Sequence, residues 1–207
     1  MEIDKKGVIQ AEKQRRLKKT KEFEKNILVY LHDLSYLLAV VIILFLLFFR
    51  VVVVSGPSMY STLVDGDYLL LLSGAFYDEP QQGDIIVACK DSFEDGLPIV
   101  KRVIALEGQE VDIDFSAGIV YVDGVALDEP YTHTPTNLHE GVTFPVVVPD
   151  GCVFVMGDNR NESRDSRYPG IGMIDKREIL GKAIFLFIPG THKGEVERDF
   201  SRIGVVD

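Results

Sequence analysis

The chain has 207 residues, enough for one sizeable domain with appendages and too few for two full domains. Its formal net charge of -10 is unevenly spread: residues 1–33 carry nine Lys/Arg against six Asp/Glu, and residues 51–207 carry twelve against twenty-six. A basic arm ahead of an acidic body excludes nucleic acid as the main partner, because phosphate binding needs a basic patch on the folded domain.

Residues 8–30 are charged and helix-prone, and they read as a solvated arm or a membrane-surface helix rather than a domain. Leu34–Phe49 is almost wholly apolar, and Val51–Val54 continue the run past Arg50. Spanning a bilayer takes roughly 20 residues, which residues 34–54 reach if Arg50 snorkels to the interface. A buried core helix or a membrane-surface helix would show a polar face, and this run has none. A cleaved signal peptide has an apolar region of about 7–15 residues before small residues, whereas this run is longer and ends in Arg50 and four valines. The segment therefore reads as one uncleaved anchor. Its basic flank, from Lys5 to Lys25, puts residues 1–33 in the cytoplasm and residues 55–207 outside.

Beyond Val51 the texture changes to short runs rich in Val, Ile, Tyr and Phe, punctuated by Gly, Asp and Pro. Residues 67–72, 84–88, 99–106, 119–122, 146–148, 153–156 and 183–188 read as strands. Asp123-Gly124, between residues 119–122 and 125–127, is a hairpin signal. The expected fold is a mostly β domain of short antiparallel strands, preceded by one transmembrane helix. Cys89 and Cys152 lie in apolar runs outside any CxxC or Cys/His cluster, so they read as small buried hydrophobes. No metal and no cofactor are expected.

Three segments carry polar chemistry. Ser58 stands in Ser55-Gly56-Pro57-Ser58-Met59-Tyr60, a tight loop that could expose the Ser58 backbone N–H to a developing oxyanion. Alone, a serine in a Gly/Pro loop is usually a turn residue. Lys101 follows in Pro98-Ile99-Val100-Lys101-Arg102-Val103-Ile104-Ala105-Leu106. Alternation puts it on an apolar face with Ile99, Val103 and Ala105, where desolvation disfavours the ammonium and prepares a general base. Alone, it could equally be an edge lysine reaching solvent. The third segment, Gly157-Asp158-Asn159-Arg160-Asn161-Glu162-Ser163-Arg164-Asp165-Ser166-Arg167, follows an apolar strand. It offers the Ser163 hydroxyl to orient an amine and an Asp165/Arg167 ion pair to stiffen the loop. His32, at the membrane edge, and His133, His139 and His192, in polar surroundings, suggest no histidine base, which leaves Ser/Lys as the natural pairing.

Taken in order, these segments resemble the type I signal peptidases. An anchor precedes a Ser-Met loop, then Gly83-Asp84-Ile85-Ile86-Val87, then Lys101-Arg102-Val103, then Gly157–Arg167. The resemblance runs from about Val53 to Pro189 and includes Val122-Asp123-Gly124, Glu129-Pro130-Tyr131 and Gly181-Lys182. It implies Ser58 as nucleophile, Lys101 as general base, Ser163 as the serine hydrogen-bonded to that lysine, and Asp165/Arg167 as a structural ion pair. It implies a mostly β catalytic domain with an apolar surface against the membrane. Lysine in place of histidine resembles the bacterial form. Ser61 stands where the family usually has Pro, and Glu107-Gly108-Gln109 replaces its Pro-Gly-Asp. Gly56 stands where some members place a side-chain oxyanion donor, so the Ser58 N–H is the expected donor. Met59 and Val100 flank the dyad in sequence and are expected as pocket walls. The expected partners are preprotein signal peptides and the lipid bilayer, with no nucleic acid, and the protein is expected to be a monomer in a bacterial plasma membrane. Three other readings compete, and the first, a structural membrane protein with no site, fails to explain why polar motifs recur at these spacings. A self-cleaving repressor-type Ser/Lys protease would be soluble, unlike this anchored chain. A catalytically dead, membrane-anchored binding protein would not need Ser58, Lys101 and Ser163 intact.

Overall fold

The computed structural model describes residues 5–90, 93, 96–191 and 197–206. The chain divides into two units, Met1–Leu47 and Phe48–Asp207.

The first unit is one helix, α1 (Lys5–Phe48). It contains no proline, so nothing interrupts its backbone ladder. Its stretch Glu12–Phe48 is long and apolar enough to cross a membrane. The charged residues 8–30, read as an arm, continue into the apolar run without a break.

The second unit is built from two antiparallel sheets. The larger uses β1 (Phe49–Val53), β2 (Tyr68–Ser73), β3 (Ile85–Cys89), β4 (Pro98–Leu106), β9 (Cys152–Met156), β10 (Ile174–Asp175), β11 (Ile179–Ile188) and β12 (Gly204–Val205). Its order is β1-β2-β11-β3-β4-β9-β10, with β12 paired to β11. The smaller sheet uses β5 (Glu110–Asp114), β6 (Ile119–Val122), β7 (Val125–Ala126) and β8 (Val146–Val147), in the order β7-β6-β5-β8. The fold is therefore mostly antiparallel β after one apolar helix, as the residue pattern predicts.

The differences have local causes. Residues 50–54, expected in the anchor, leave the helix after Phe48. Phe49–Val53 form β1 and pair with Tyr68–Leu72 of β2. Three consecutive valines are stiff at χ1 and suit a pleated surface better than a helix end. Strand β5 is absent from the expected strands, although its alternation is regular: Val111 and Ile113 are buried while Glu110, Asp112 and Asp114 are exposed. In the hairpin, Asp123 and Gly124 both have positive φ, 51° and 75°, as a type I′ turn requires.

Strand β4 lies between layers, so both of its faces are buried and its Lys and Arg are buried with them. Ile99 and Val103 join one core cluster and Val100 another. The register against β9 shifts between Val103 and Ala105, and Ile104 and Ala105 then enter the third cluster together. Strict alternation, which places Ala105 beside Lys101, fails at this bulge. Cys89 and Cys152 are free thiols and only half-buried, each at the end of a strand.

Candidate active site

Three segments distant in sequence meet at one groove. The first is the lobe between β1 and β2. Gly56, at φ 86°, takes a left-handed conformation, and Pro57 follows it with a constrained φ. Val54 N–H donates to Asp67 O and Gly66 N–H donates to Val54 O, closing residues 54–67 on themselves. Inside, Asp65 accepts the Gly56 N–H and Asp67 accepts the Val64 N–H. Met59 and Leu63 root the lobe in the core. This arrangement presents Ser58 half-buried at the rim. Among the described residues, no hydrogen bond takes its N–H.

The second segment is β4. Lys101 is 5% exposed, and its Nζ donates to Ser58 Oγ at 2.8 Å. Long-range pairing positions it, since Lys101 faces Ile86 in the register of β3.

The third is the loop 157–167 after β9. Asp165 is fully buried, and Arg167 clamps it with both prongs of the guanidinium, each at 2.8 Å. Asp165 Oδ2 also accepts the Ser163 hydroxyl at 2.9 Å and the Gly157 N–H at 3.0 Å. Burial opposes the Asp165 charge, but these donors and the nearby Lys101 hold its carboxyl below its ordinary value. Ser163, expected to orient Lys101, spends its hydroxyl hydrogen on Asp165, which leaves its oxygen able only to accept. Gly157 has no room for a side chain: a Cβ there would collide with Ser58 O and with Ser163 Oγ. The close approach of these two backbones therefore requires glycine.

The same loop carries residues that the sequence reading passes over. Asn159 N–H donates to Ser58 O at 3.0 Å, and its side chain donates to Pro57 O at 3.1 Å. Buried Asp158 accepts both Nε and Nη2 of Arg102 at 2.9 Å and the Thr62 hydroxyl at 2.5 Å. Arg102 lies 4.0 Å from the centroid of Tyr131, so it also makes a cation–π contact. Arg160 pairs with Glu129 at 2.8 and 2.5 Å. In the sequence these partners are visible as one polar motif and one Lys-Arg pair. Which carboxylate meets which guanidinium is not. Asp67 and Arg202 pair at 2.9 and 2.7 Å across 135 positions, and no local pattern announces them.

The groove encloses about 600 Å³. Among the described residues, Val52–Val54 and Pro98–Val100 line the groove together with Ser58, Lys101 and Arg164. Val100 is on the wall. Met59 is not: it is 0% exposed and packs in the core, because the tight turn after Pro57 points it inward. His133 packs edge-on against Tyr60 at 4.8 Å, His139 is exposed, and neither lines the groove. His32 lies in α1, and His192 lies outside the described residues.

Residues 27–188 match the family model described as signal peptidase, peptidase S26. The "Probable signal peptidase I-1" of Synechocystis sp. is 40% identical over 151 residues, covering 69% of this chain and 73% of that one. Signal peptidase I of Bacillus licheniformis is 37% identical over 164 residues, covering 75% and 84% respectively. Among solved structures, a signal peptidase I from Enterococcus faecalis V583 is 31% identical with a TM-score of 0.41, covering 50% of this chain and 96% of that one. With more than three quarters of its length matched by the family model and relatives similar over most of theirs, the chain belongs to the signal peptidase family, peptidase S26.

Proposed function

We propose that Ser58 and Lys101 are the nucleophile and general base of this type I signal peptidase, and that the groove beside them holds the signal-peptide end of a preprotein. The observation that carries this reading is the 2.8 Å hydrogen bond between a half-buried serine hydroxyl and a lysine amine that is 5% exposed. In the resting pair the amine donates. For attack, the neutral amine accepts the proton of Ser58 Oγ as the oxygen bonds to the scissile carbonyl carbon. The Ser58 N–H, uncommitted among the described residues, is placed to receive the oxyanion. Lys101 then passes its proton to the departing amine; the neutral Lys101 amine next deprotonates a water as it bonds to the acyl carbon, and returns that proton to Ser58 Oγ as the ester bond breaks.

The remaining residues position these two. Ser163 offers lone pairs to the Lys101 amine, and Asp165 with Arg167 keeps that hydroxyl turned the right way. The described lining of the groove is mostly apolar, with five valines, Ile99, Leu97, Phe93, Pro57 and Pro98, which suits an extended apolar peptide with small residues at the −3 and −1 positions. Backbone pairing along a strand edge would supply affinity, and wall residues such as Val100 would supply selection.

The segment Ile27–Phe48 holds 22 residues with Asp33 as its one Asp, Glu, Lys or Arg and His32 beside it, enough to cross a bilayer. Lysines and arginines precede it, so the N-terminus lies in the cytoplasm and the β unit outside. The anchor then keeps the groove where preproteins emerge.

Cleavage of a preprotein in detergent, followed for the wild type, Ser58→Ala and Lys101→Ala, tests the reading. The wild type should cut after a small residue, and both variants should lose at least about 1,000-fold in kcat while melting as the wild type does. A Lys101→Ala enzyme that still cuts would refute the dyad.

A further inference from the structure

The groove holds a charge that the acyl-transfer chemistry leaves unused. Among its described lining residues, Lys101 and Arg164 carry basic groups, and Arg164 comes from the loop 157–167 rather than from β1, β4 or the serine lobe. Its backbone is pinned on both sides. The side chains of buried Ser163 and Asp165 meet at 2.9 Å, Ser166 N–H donates to Val155 O at 3.1 Å, and Tyr168 N–H donates to Asp165 O at 2.9 Å. Between these buried neighbours, Arg164 itself is exposed.

The guanidinium rests on an aromatic shelf. Arg164 Cζ is 5.7 Å from the centroid of the Tyr168 ring, and that ring meets Phe93, another lining residue, edge-on at 6.3 Å. A Cβ at Gly170 would collide with the Tyr168 ring, so the glycine leaves that ring its place. The cation–π contact restrains a long side chain without using any guanidinium N–H. Among the described residues, none of these N–H groups donates to a hydrogen bond and no carboxylate pairs with the charge. Residues 51–207 carry twelve Lys/Arg against twenty-six Asp/Glu, so the long-range field of the β unit repels anions. An anionic side chain accepted in this groove therefore needs a local cation, and Arg164 supplies one.

We propose that Arg164 is a specificity-determining residue that favours preproteins with a carboxylate side chain next to the scissile bond. The proposal rests on the groove holding the preprotein. In an extended peptide, successive side chains point to opposite sides. With the −3 and −1 side chains against the walls formed by residues 52–54 and 98–100, those at −2 and +1 point away from these walls and are left to groups from other elements, such as Arg164. A planar fork with uncommitted N–H groups can hold a carboxylate by two parallel hydrogen bonds. Lys and Arg beside an apolar segment resist export, so a cation at this place repels few substrates.

The test is kcat/KM of the full chain for the wild type, Arg164→Gln and Arg164→Glu, on peptides that differ only in Glu or Lys at −2, or only in Glu or Lys at +1. The quantity read is the Glu-to-Lys ratio, in which any general loss of activity cancels. In at least one of the two sets, in nonionic detergent, the ratio should fall by about fivefold for Arg164→Gln, the upper range for one exposed ion pair, and further for Arg164→Glu. Arg164→Lys, which keeps the charge, should stay above Arg164→Gln. A ratio that is the same in the wild type, Arg164→Gln and Arg164→Glu for both sets overturns the proposal. So does a loss equal for Glu and Lys peptides that arises only when phosphatidylglycerol is added to phosphatidylcholine vesicles, which would assign the guanidinium to anionic lipid. Cleavage of these peptides by Lys101→Ala would overturn the dyad reading alone, whereas a wild type that cuts none of them would overturn both.

Discussion

Glu140 and Asp165 show how two carboxylates a short distance apart are driven in opposite directions. Asp165 is fully buried, the Glu140 side chain is 9% exposed, and both lie beside Arg167. Asp165 receives donors on both oxygens and stays ionised; Glu140 lacks them on one oxygen and is pushed towards its neutral form. The sign for stability follows. A carboxyl raised from 4.5 to about 7 binds more protons in the folded chain than in the unfolded one, so the stability it gives falls as pH rises across that window. Melting of the Ser58→Ala enzyme should therefore decline from about pH 5 to pH 7 through this group, and the added Glu140→Gln change should flatten that part of the curve. Gly157 supports a second prediction at the same scale. Because a Cβ there meets Ser58 O and Ser163 Oγ, Gly157→Ala must separate the serine lobe from the loop. Shifts of about 1 Å at a reacting group cost about 100-fold, and kcat for peptide cleavage should fall by that order with KM little changed.

At the scale of elements, the serine lobe is held from outside as much as from within. The segment 197–206 lies beyond the residues that match the family model. Its Arg202 binds both oxygens of buried Asp67 and, at 3.2 Å, Thr62 O. Val206 packs into the same core cluster as Met59 and Leu63. Removing the guanidinium leaves Asp67 buried without its ionic partner, for which losses of about 3 kcal/mol are typical. Arg202→Ala should lower the urea midpoint accordingly, without changing its slope. Arg202→Lys should recover only part, since one ammonium cannot bridge two carboxylate oxygens and a carbonyl as a planar fork does. Strand β4 teaches a related lesson. Its Lys and Arg are legible as a motif, and the apolar neighbours announce burial. The bulge after Val103 is not legible, because a register shift is set by the partner strand β9 rather than by the residues of β4 alone.

At the scale of the whole molecule, the helix and the β unit do separable jobs in the proposed function. If the anchor acts by concentrating the site at the bilayer, a chain lacking residues 1–47 should still cleave a short soluble peptide at a rate close to that of the full chain. It should lose about 100-fold or more towards preproteins bound to vesicles, the order of gain that tethering provides. Equal losses on both substrates would show that the helix supports the fold of the β unit instead.

The sequence by itself determined the apolar helix, the mostly β character that follows it, and the list of polar residues that the site draws on. These are readable because burial period, turn chemistry and hydropathy act over a few residues. It also determined that Ser58, Lys101 and the loop 157–167 belong together, through resemblance in order and spacing. Only the tertiary structure decided that Met59 faces the core while Val100 faces the groove, that Ser163 gives its hydrogen to Asp165, that Glu140 lies against Arg167, and that Arg202 pairs with Asp67. Hydrogen bonds and ion pairs between residues tens of positions apart depend on how strands stack and where a bulge falls. A single chain of letters does not encode those distances locally.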